Sequence, residues 1–160
     1  AVKDYCEQFD VPLPRILVEP GRSLVANAGI TLYTVGILKT LPNIRKYVAV
    51  DGGMSDNIRT ALYHAEYEPT IANKAGQPRT EIVTLCGKHC ESGDAVVIDM
   101  PLQHPDLGDI VAVFGTGAYC HSMSSNYNGQ PRPAIVFVKD GQARVTTRRE
   151  TYADLMARDI

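Results

Sequence analysis

Short apolar runs rich in Val, Ile, Leu and Tyr recur along this chain, separated by turn-forming residues. Residues 15–18 (R-I-L-V) form one such run, closed by Glu19-Pro20-Gly21-Arg22. Residues 23–39 form a longer one, which predicts a strand bent or bulged at Gly29 and Gly36. Further strands are predicted over 46–50, 68–72, 79–87, 95–101, 110–116, 134–139 and 142–147. Asp140-Gly141 between the last two is a type I′ hairpin signal. Helical pattern is scarce. Residues 1–15 read as the end of a helix and a loop, because Pro12 and Pro14 forbid helix there. One or two helical turns are predicted over 55–63, capped by Ser55 or Asp56, and a short amphipathic helix over 152–158, capped by Thr151. The pattern as a whole is mainly β, a sandwich or barrel.

Composition narrows the classes. With 44% hydrophobic and 21% charged residues over 160 positions, the chain can bury a core and is not disordered. A net charge of −2 gives no electrostatic case for nucleic acid or an anionic membrane as partner. No apolar stretch approaches the roughly 20 residues that span a bilayer, and the N-terminus lacks the pattern of a signal peptide. Cys6, Cys86, Cys90 and Cys120 are therefore expected as reduced thiols in a cytoplasmic protein, not as a disulfide framework. The chain opens without Met, as if inside an element, so it is expected to be part of a longer protein.

Four segments could carry chemistry. Glu19-Pro20-Gly21-Arg22 puts a carboxylate and a guanidinium on a rigid turn at a strand end; it serves equally as a surface ion pair. Cys86-Gly87-Lys88-His89-Cys90-Glu91-Ser92-Gly93-Asp94 holds three potential metal ligands within five residues, and Cys120 with His121 could complete a zinc site, but the spacing is irregular for structural zinc. Cys90 and Glu91 precede a turn, where a thiol can act as proton donor, whereas Cys86 reads as buried in a strand. Gly115-Thr116-Gly117-Ala118-Tyr119 is not a nucleotide P-loop, yet a glycine turn of this kind can bring a tyrosine hydroxyl to a phosphate. Arg59 and Tyr63 lie four apart on one helical face, a pairing that suits a carboxylate or plain solvent.

Taken in order, E-P-G-R-S at 19–23, D-G-G-M-S-D at 51–56, C-E-S-G-D at 90–94, G-A-Y at 117–119 and S-S-N-Y-N at 124–128 with R-P at 132–133 resemble the diaminopimelate decarboxylases. These are pyridoxal-phosphate enzymes of the alanine racemase/decarboxylase type, with an N-terminal (β/α)8 barrel and a C-terminal β domain. The resemblance covers the chain from about Arg15 to the final helix. It implies a remnant of the barrel, its last helix and strand, over 1–22, and a C-terminal β-sandwich or Greek-key barrel domain with a short helix over 23–160.

It further implies a role for each motif. Glu19 would pair with the ring nitrogen of pyridoxal 5′-phosphate, and Gly21, Arg22 and Tyr119 would surround the cofactor phosphate and the substrate. Arg22, Arg59, Tyr63 and Tyr119 would hold meso-diaminopimelate, and Glu91 its distal ammonium. Cys90 would be the catalytic proton donor, acting in the active site of a second subunit, so the whole enzyme would be a homodimer with shared sites. None of the six lysines (Lys3, Lys39, Lys46, Lys74, Lys88, Lys139) matches the family's cofactor lysine. These 160 residues alone are therefore expected neither to hold the cofactor stably nor to catalyse. Two other readings stay open: a related decarboxylase acting on ornithine, arginine or carboxynorspermidine, and a non-catalytic β module for subunit association, binding metal through Cys86, Cys90 and Cys120.

Overall fold

The computed structural model describes residues 1–160. Helix α1 covers Val2–Gln8. Six strands then build one sheet: β1 (Ile30–Leu41), β2 (Arg45–Val50), β3 (Pro69–Ile71), β4 (Glu81–Cys86), β5 (Ala95–Leu102) and β6 (Ile110–Phe114), in the order β3-β6-β1-β2-β4-β5. Helix α2 (Arg59–Tyr63) lies between β2 and β3. A separate hairpin, β7 (Ile135–Lys139) with β8 (Gln142–Thr147), and helix α3 (Tyr152–Leu155) complete the chain.

Burial follows side-chain alternation. In β2, Val48 and Val50 point into the core and their neighbours do not. In β6, which lies between β1 and β3, Val111, Ala112 and Val113 are all buried, so both faces of this strand are covered. Tyr33, Val35, Val48, Leu85, Val97 and Val113 belong to one continuous core. Gln103, just past β5, helps to close the sheet on itself. Its side-chain oxygen accepts from the Ile71 backbone N–H at 2.9 Å, and its amide donates to Thr70 Oγ1 at 2.9 Å. Gln103 is fully buried, and these two bonds offset the cost of taking its amide out of water. They join the two outer strands of the order, so the sheet is nearly a barrel.

Several expectations hold. The register of β1 shifts between Val35 and Ile37, so the bulge falls at Gly36. Asp140 and Gly141 have φ of 50° and 73°, the type I′ signature. Thr151 caps α3 through a capping box, accepting from the Asp154 backbone while Asp154 accepts from its own.

Other expectations need correction. Residues 23–29 are not strand: Arg22–Leu24 and Ala26–Ala28 form two 3-10 turns, and β1 starts only at Ile30. Backbone groups there bond locally and to the 116–117 turn, and this tertiary contact overrides the β propensity of the residues. Residues 15–18 form no strand either. Leu17 and Val18 are about three-quarters exposed, and no strand of the chain lies beside them. A strand needs a partner for its backbone groups, and none is present. Helix α2 begins at Arg59, not at 55; Asp56 instead closes the preceding turn by accepting from Gly53 N. Helix α3 stops at Leu155. Strands β2 and β4 pair in parallel, with α2 and β3 lying in the connection between them. No helix is long and apolar enough to cross a membrane.

Candidate active site

The turn at 115–117 docks on the two 3-10 turns. Thr116 N donates to Gly29 O at 3.1 Å and Gly117 N to Ala26 O at 3.0 Å. The backbones approach so closely that a Cβ at Gly117 would overlap the Val25 carbonyl oxygen. Tyr119 follows with a left-handed φ of 68°. Its hydroxyl arrives beside Gly21: a Cβ on Gly21 would lie 2.6 Å from Tyr119 Oη. The glycine of the E-P-G-R tetrapeptide is thus where the tyrosine needs space. Glu19 and Arg22, on either side, are exposed and form no ion pair. The surface-pair reading of the tetrapeptide is therefore not what the structure has; both charges are available to a ligand.

Arg59 is the centre of a second group. Its guanidinium carbon stands 5.0 Å from the Tyr63 ring centroid and 5.2 Å from that of Tyr119. Cation–π attraction holds it there. The spacing of four residues on α2 makes the first contact, and the 115–119 turn brings the second. Arg59 Nη1 has only Met123 Sδ, at 3.9 Å, and Arg59 Nε is buried with no hydrogen-bond partner. No carboxylate of the chain pairs with this guanidinium. Below it, Tyr67 and Cys120 meet at 3.5 Å, and the Cys120 thiol donates to Asn57 Oδ1 at 3.5 Å. Burial, then the Cys120 thiol, push the Tyr67 phenol up to about 12. Burial also pushes the Cys120 thiol up, so both groups stay neutral at pH 7.

Cys90 and Glu91 sit on the loop between β4 and β5, both exposed. Tyr127 Oη donates to Glu91 Oε2 at 3.4 Å, and Met54, Ile58, Glu91, Ser125 and Tyr127 line a shallow cleft of about 250 Å3. No hydrogen bond or ion pair ties Cys90 or Glu91 to Gly21, Arg59, Tyr63 or Tyr119, so the candidates fall into two groups. One contains Gly21, Arg59, Tyr63 and Tyr119, with Glu19 and Arg22 adjoining. The other contains Cys90 and Glu91. The metal reading finds no support: Cys86 ends β4, Cys120 is buried against Tyr67 and Asn57, and no three His, Cys, Asp or Glu side chains converge.

Sequence reasoning did not find Asn57 and Tyr67 beneath Arg59; it read Cys120 and His89 only as possible zinc ligands and Asp94 only as part of a turn. Nothing in their spacing marks these pairings. They meet across 40 or more positions, or, for His89 and Asp94, inside a turn whose polar residues already had a local explanation.

The C-terminal sheet domain of the pyridoxal-dependent decarboxylases matches residues 5–117, and the chain belongs to this family. Among its relatives are diaminopimelate decarboxylases. That of Bacillus subtilis (strain 168) is 52% identical over 160 residues, which are 100% of this chain and 36% of that protein. That of Synechocystis sp. (strain ATCC 27184 / PCC 6803 / Kazusa) is 50% identical over 159 residues, 99% of this chain and 34% of the relative. The crystal structure of diaminopimelate decarboxylase from M. jannaschii in co-complex with L-lysine matches with a TM-score of 0.82 and 38% identity, covering 99% of this chain and 36% of that one. The chain thus spans little more than a third of the length of such relatives.

Proposed function

We propose that the chain is the C-terminal part of a pyridoxal-phosphate-dependent decarboxylase that converts meso-diaminopimelate to L-lysine and CO2. Residues 1–22 would be the last part of the N-terminal barrel, whose remainder carries the cofactor lysine, and residues 23–160 would form the β domain. The observation that carries the substrate assignment is the unpaired Arg59 guanidinium, set between the Tyr63 and Tyr119 rings with its Nε buried and unpartnered. A half-buried cation without a counter-charge is costly until an anion arrives. A substrate with a second carboxylate supplies one.

The residues present fit the cofactor. The space at Gly21 is filled by the Tyr119 hydroxyl, which makes no hydrogen bond within the chain, and the adjacent Glu19 and Arg22 are unpaired. Tyr119 would hold the phosphate, the turn at Gly21 and Arg22 would lie beside it, and Glu19 would keep the ring nitrogen protonated. Pyridoxal phosphate, when bound, supplies an electron sink for the pair of electrons left by departing CO2. This chain's own residues orient and protonate. Arg22, Arg59 and Tyr63 grip the distal carboxylate, and Glu91 pairs with the distal ammonium. The Cys90 Sγ–H gives its proton to the carbon that lost CO2, and the resulting thiolate is reprotonated by water.

No hydrogen bond or ion pair joins Cys90 or Glu91 to the Arg59 group. This separation supports their service to the site of a second copy, and hence a homodimer with shared sites. The test is CO2 release by the parent polypeptide, barrel included, from meso-diaminopimelate, ornithine and arginine with added pyridoxal phosphate. Activity on meso-diaminopimelate alone is expected. Activity on ornithine or arginine would overturn the assignment of Arg59, Tyr63 and Glu91. Release from none of the three would remove the catalytic reading.

A further inference from the structure

His89 is the most enclosed polar side chain near the proposed proton donor. Its side chain is 0% exposed, and it immediately precedes Cys90. The Asp94 carboxylate holds it from one edge. Asp94 Oδ2 accepts from His89 N at 2.7 Å and bonds His89 Nδ1 at 2.9 Å. Asp94 Oδ1 accepts from Met54 N at 2.7 Å. One carboxylate therefore ties the 87–94 loop both to the imidazole and to the turn after β2. The backbones of Gly53 and Gly87 crowd this carboxylate so closely that neither position has room for a Cβ.

The opposite side is equally fixed. The His89 ring lies nearly parallel to Tyr127, with centroids 6.0 Å apart and an interplanar angle of 11°. The same Tyr127 donates from its hydroxyl to Glu91. The residue following Ser124, Ser125, bonds its backbone N–H to Ser55 O at 2.8 Å, which anchors the Tyr127 segment to the 51–57 turn. A closed brace results: Asp94, His89, Tyr127 and Glu91, with Cys90 carried between His89 and Glu91. His89 Nε2 is buried without a partner. An unpaired buried nitrogen is a cost that the stack on Tyr127 alone does not require, since an apolar ring would stack there without it.

We propose that His89 is a positioning residue for Cys90 and Glu91: the imidazole, bonded to Asp94 and stacked on Tyr127, sets the pose in which the thiol and the carboxylate reach substrate. Its catalytic consequence rests on the function proposed above; its structural consequence does not. Two substitutions separate the parts of the brace. His89→Phe keeps a ring on Tyr127 and loses the bond to Asp94. His89→Asn keeps a donor near the position of Nδ1 and loses the stack. In His89→Phe the Asp94 carboxylate keeps its two backbone donors and loses the imidazole, and because that lost bond is made to a charged acceptor it is the larger contribution.

The test uses the parent holoenzyme with two readouts. The first, independent of activity, is amide hydrogen exchange over 88–94 compared with that of β4 and β5. The second is kcat and KM for meso-diaminopimelate. For His89→Phe, exchange over 88–94 should rise about tenfold, with β4 and β5 unchanged, and kcat should fall about tenfold or more. His89→Asn should restore both to within about threefold of wild type. Tyr127→Phe should raise KM with kcat retained, because it frees Glu91 and leaves the thiol in place. The proposal is overturned if His89→Phe leaves loop exchange at the wild-type rate. It is equally overturned if both His89 variants lose protection across β4 and β5 together, which is the signature of a residue that only supports the fold. If the wild-type parent releases no CO2, the function fails, and the exchange data alone still decide whether His89 holds the loop.

Discussion

The Tyr119 hydroxyl occupies the space that a side chain at position 21 would need, 2.6 Å from the Cβ that Gly21 lacks. Two motifs almost one hundred positions apart are thereby fitted to each other. A Gly21→Ala substitution meets the end of a side chain, not backbone, so Tyr119 swings away and the fold survives. The expected outcome is an unchanged melting temperature and an affinity of the parent enzyme for pyridoxal phosphate weakened about tenfold, as for loss of one charge-assisted hydrogen bond. Equilibrium titration of the cofactor checks it.

Gly117 is the opposite case. Its missing Cβ would strike the Val25 carbonyl oxygen, and both backbones are already hydrogen-bonded to one another. Neither can yield cheaply. Gly117→Ala should destabilise the protein by about 1–3 kcal/mol, the range for overpacking. Denaturant unfolding measures it, and a stability within error of wild type would show that the turns at 25–29 are free to shift.

Much of the β framework was legible because it depends on local pattern. Residues 142–147 and the Asp140-Gly141 turn were readable since alternation and a φ > 0 dipeptide fix a hairpin without outside help. The 23–29 segment was not, since Leu24, Val25 and Ala28 look like strand until the 116–117 turn is laid on them. The motif residues Gly21, Arg59, Tyr63, Cys90, Glu91 and Tyr119 were all readable as types. What the sequence could not show was their division into two groups, or that Arg59 stands between two rings over a Tyr67–Cys120–Asn57 floor. Those facts come from chain crossings, not from spacing.

Tyr67 supplies a pH prediction. Burial first, and the Cys120 thiol next, raise its phenol to about 12 from an ordinary value of about 10. The folded state holds this proton more tightly than the unfolded chain does. The resulting stability is fully present below pH ~10 and is lost as pH rises towards about 12. Burial and the neighbouring Asp56 carboxylate also push the Tyr33 phenol up, so phenolate absorbance should show two late-titrating tyrosines, of which Tyr67→Phe removes one. That variant should also lose less stability than wild type between pH ~10 and ~12. A Tyr67→Phe titration identical to wild type would place the late phenol elsewhere.

The central claim is that Arg59 reads the second carboxylate of the substrate. The most direct measurement is the ratio of kcat/KM for meso-diaminopimelate to that for L-ornithine in the parent enzyme, before and after Arg59→Gln. Removing the guanidinium deletes an ion pair that only meso-diaminopimelate makes, so its kcat/KM should fall about a hundredfold, while the trace rate on ornithine stays level or rises. A substitution that lowers both substrates equally, leaving the ratio unchanged, would contradict the account and make Arg59 a structural residue of the Tyr63–Tyr119 stack.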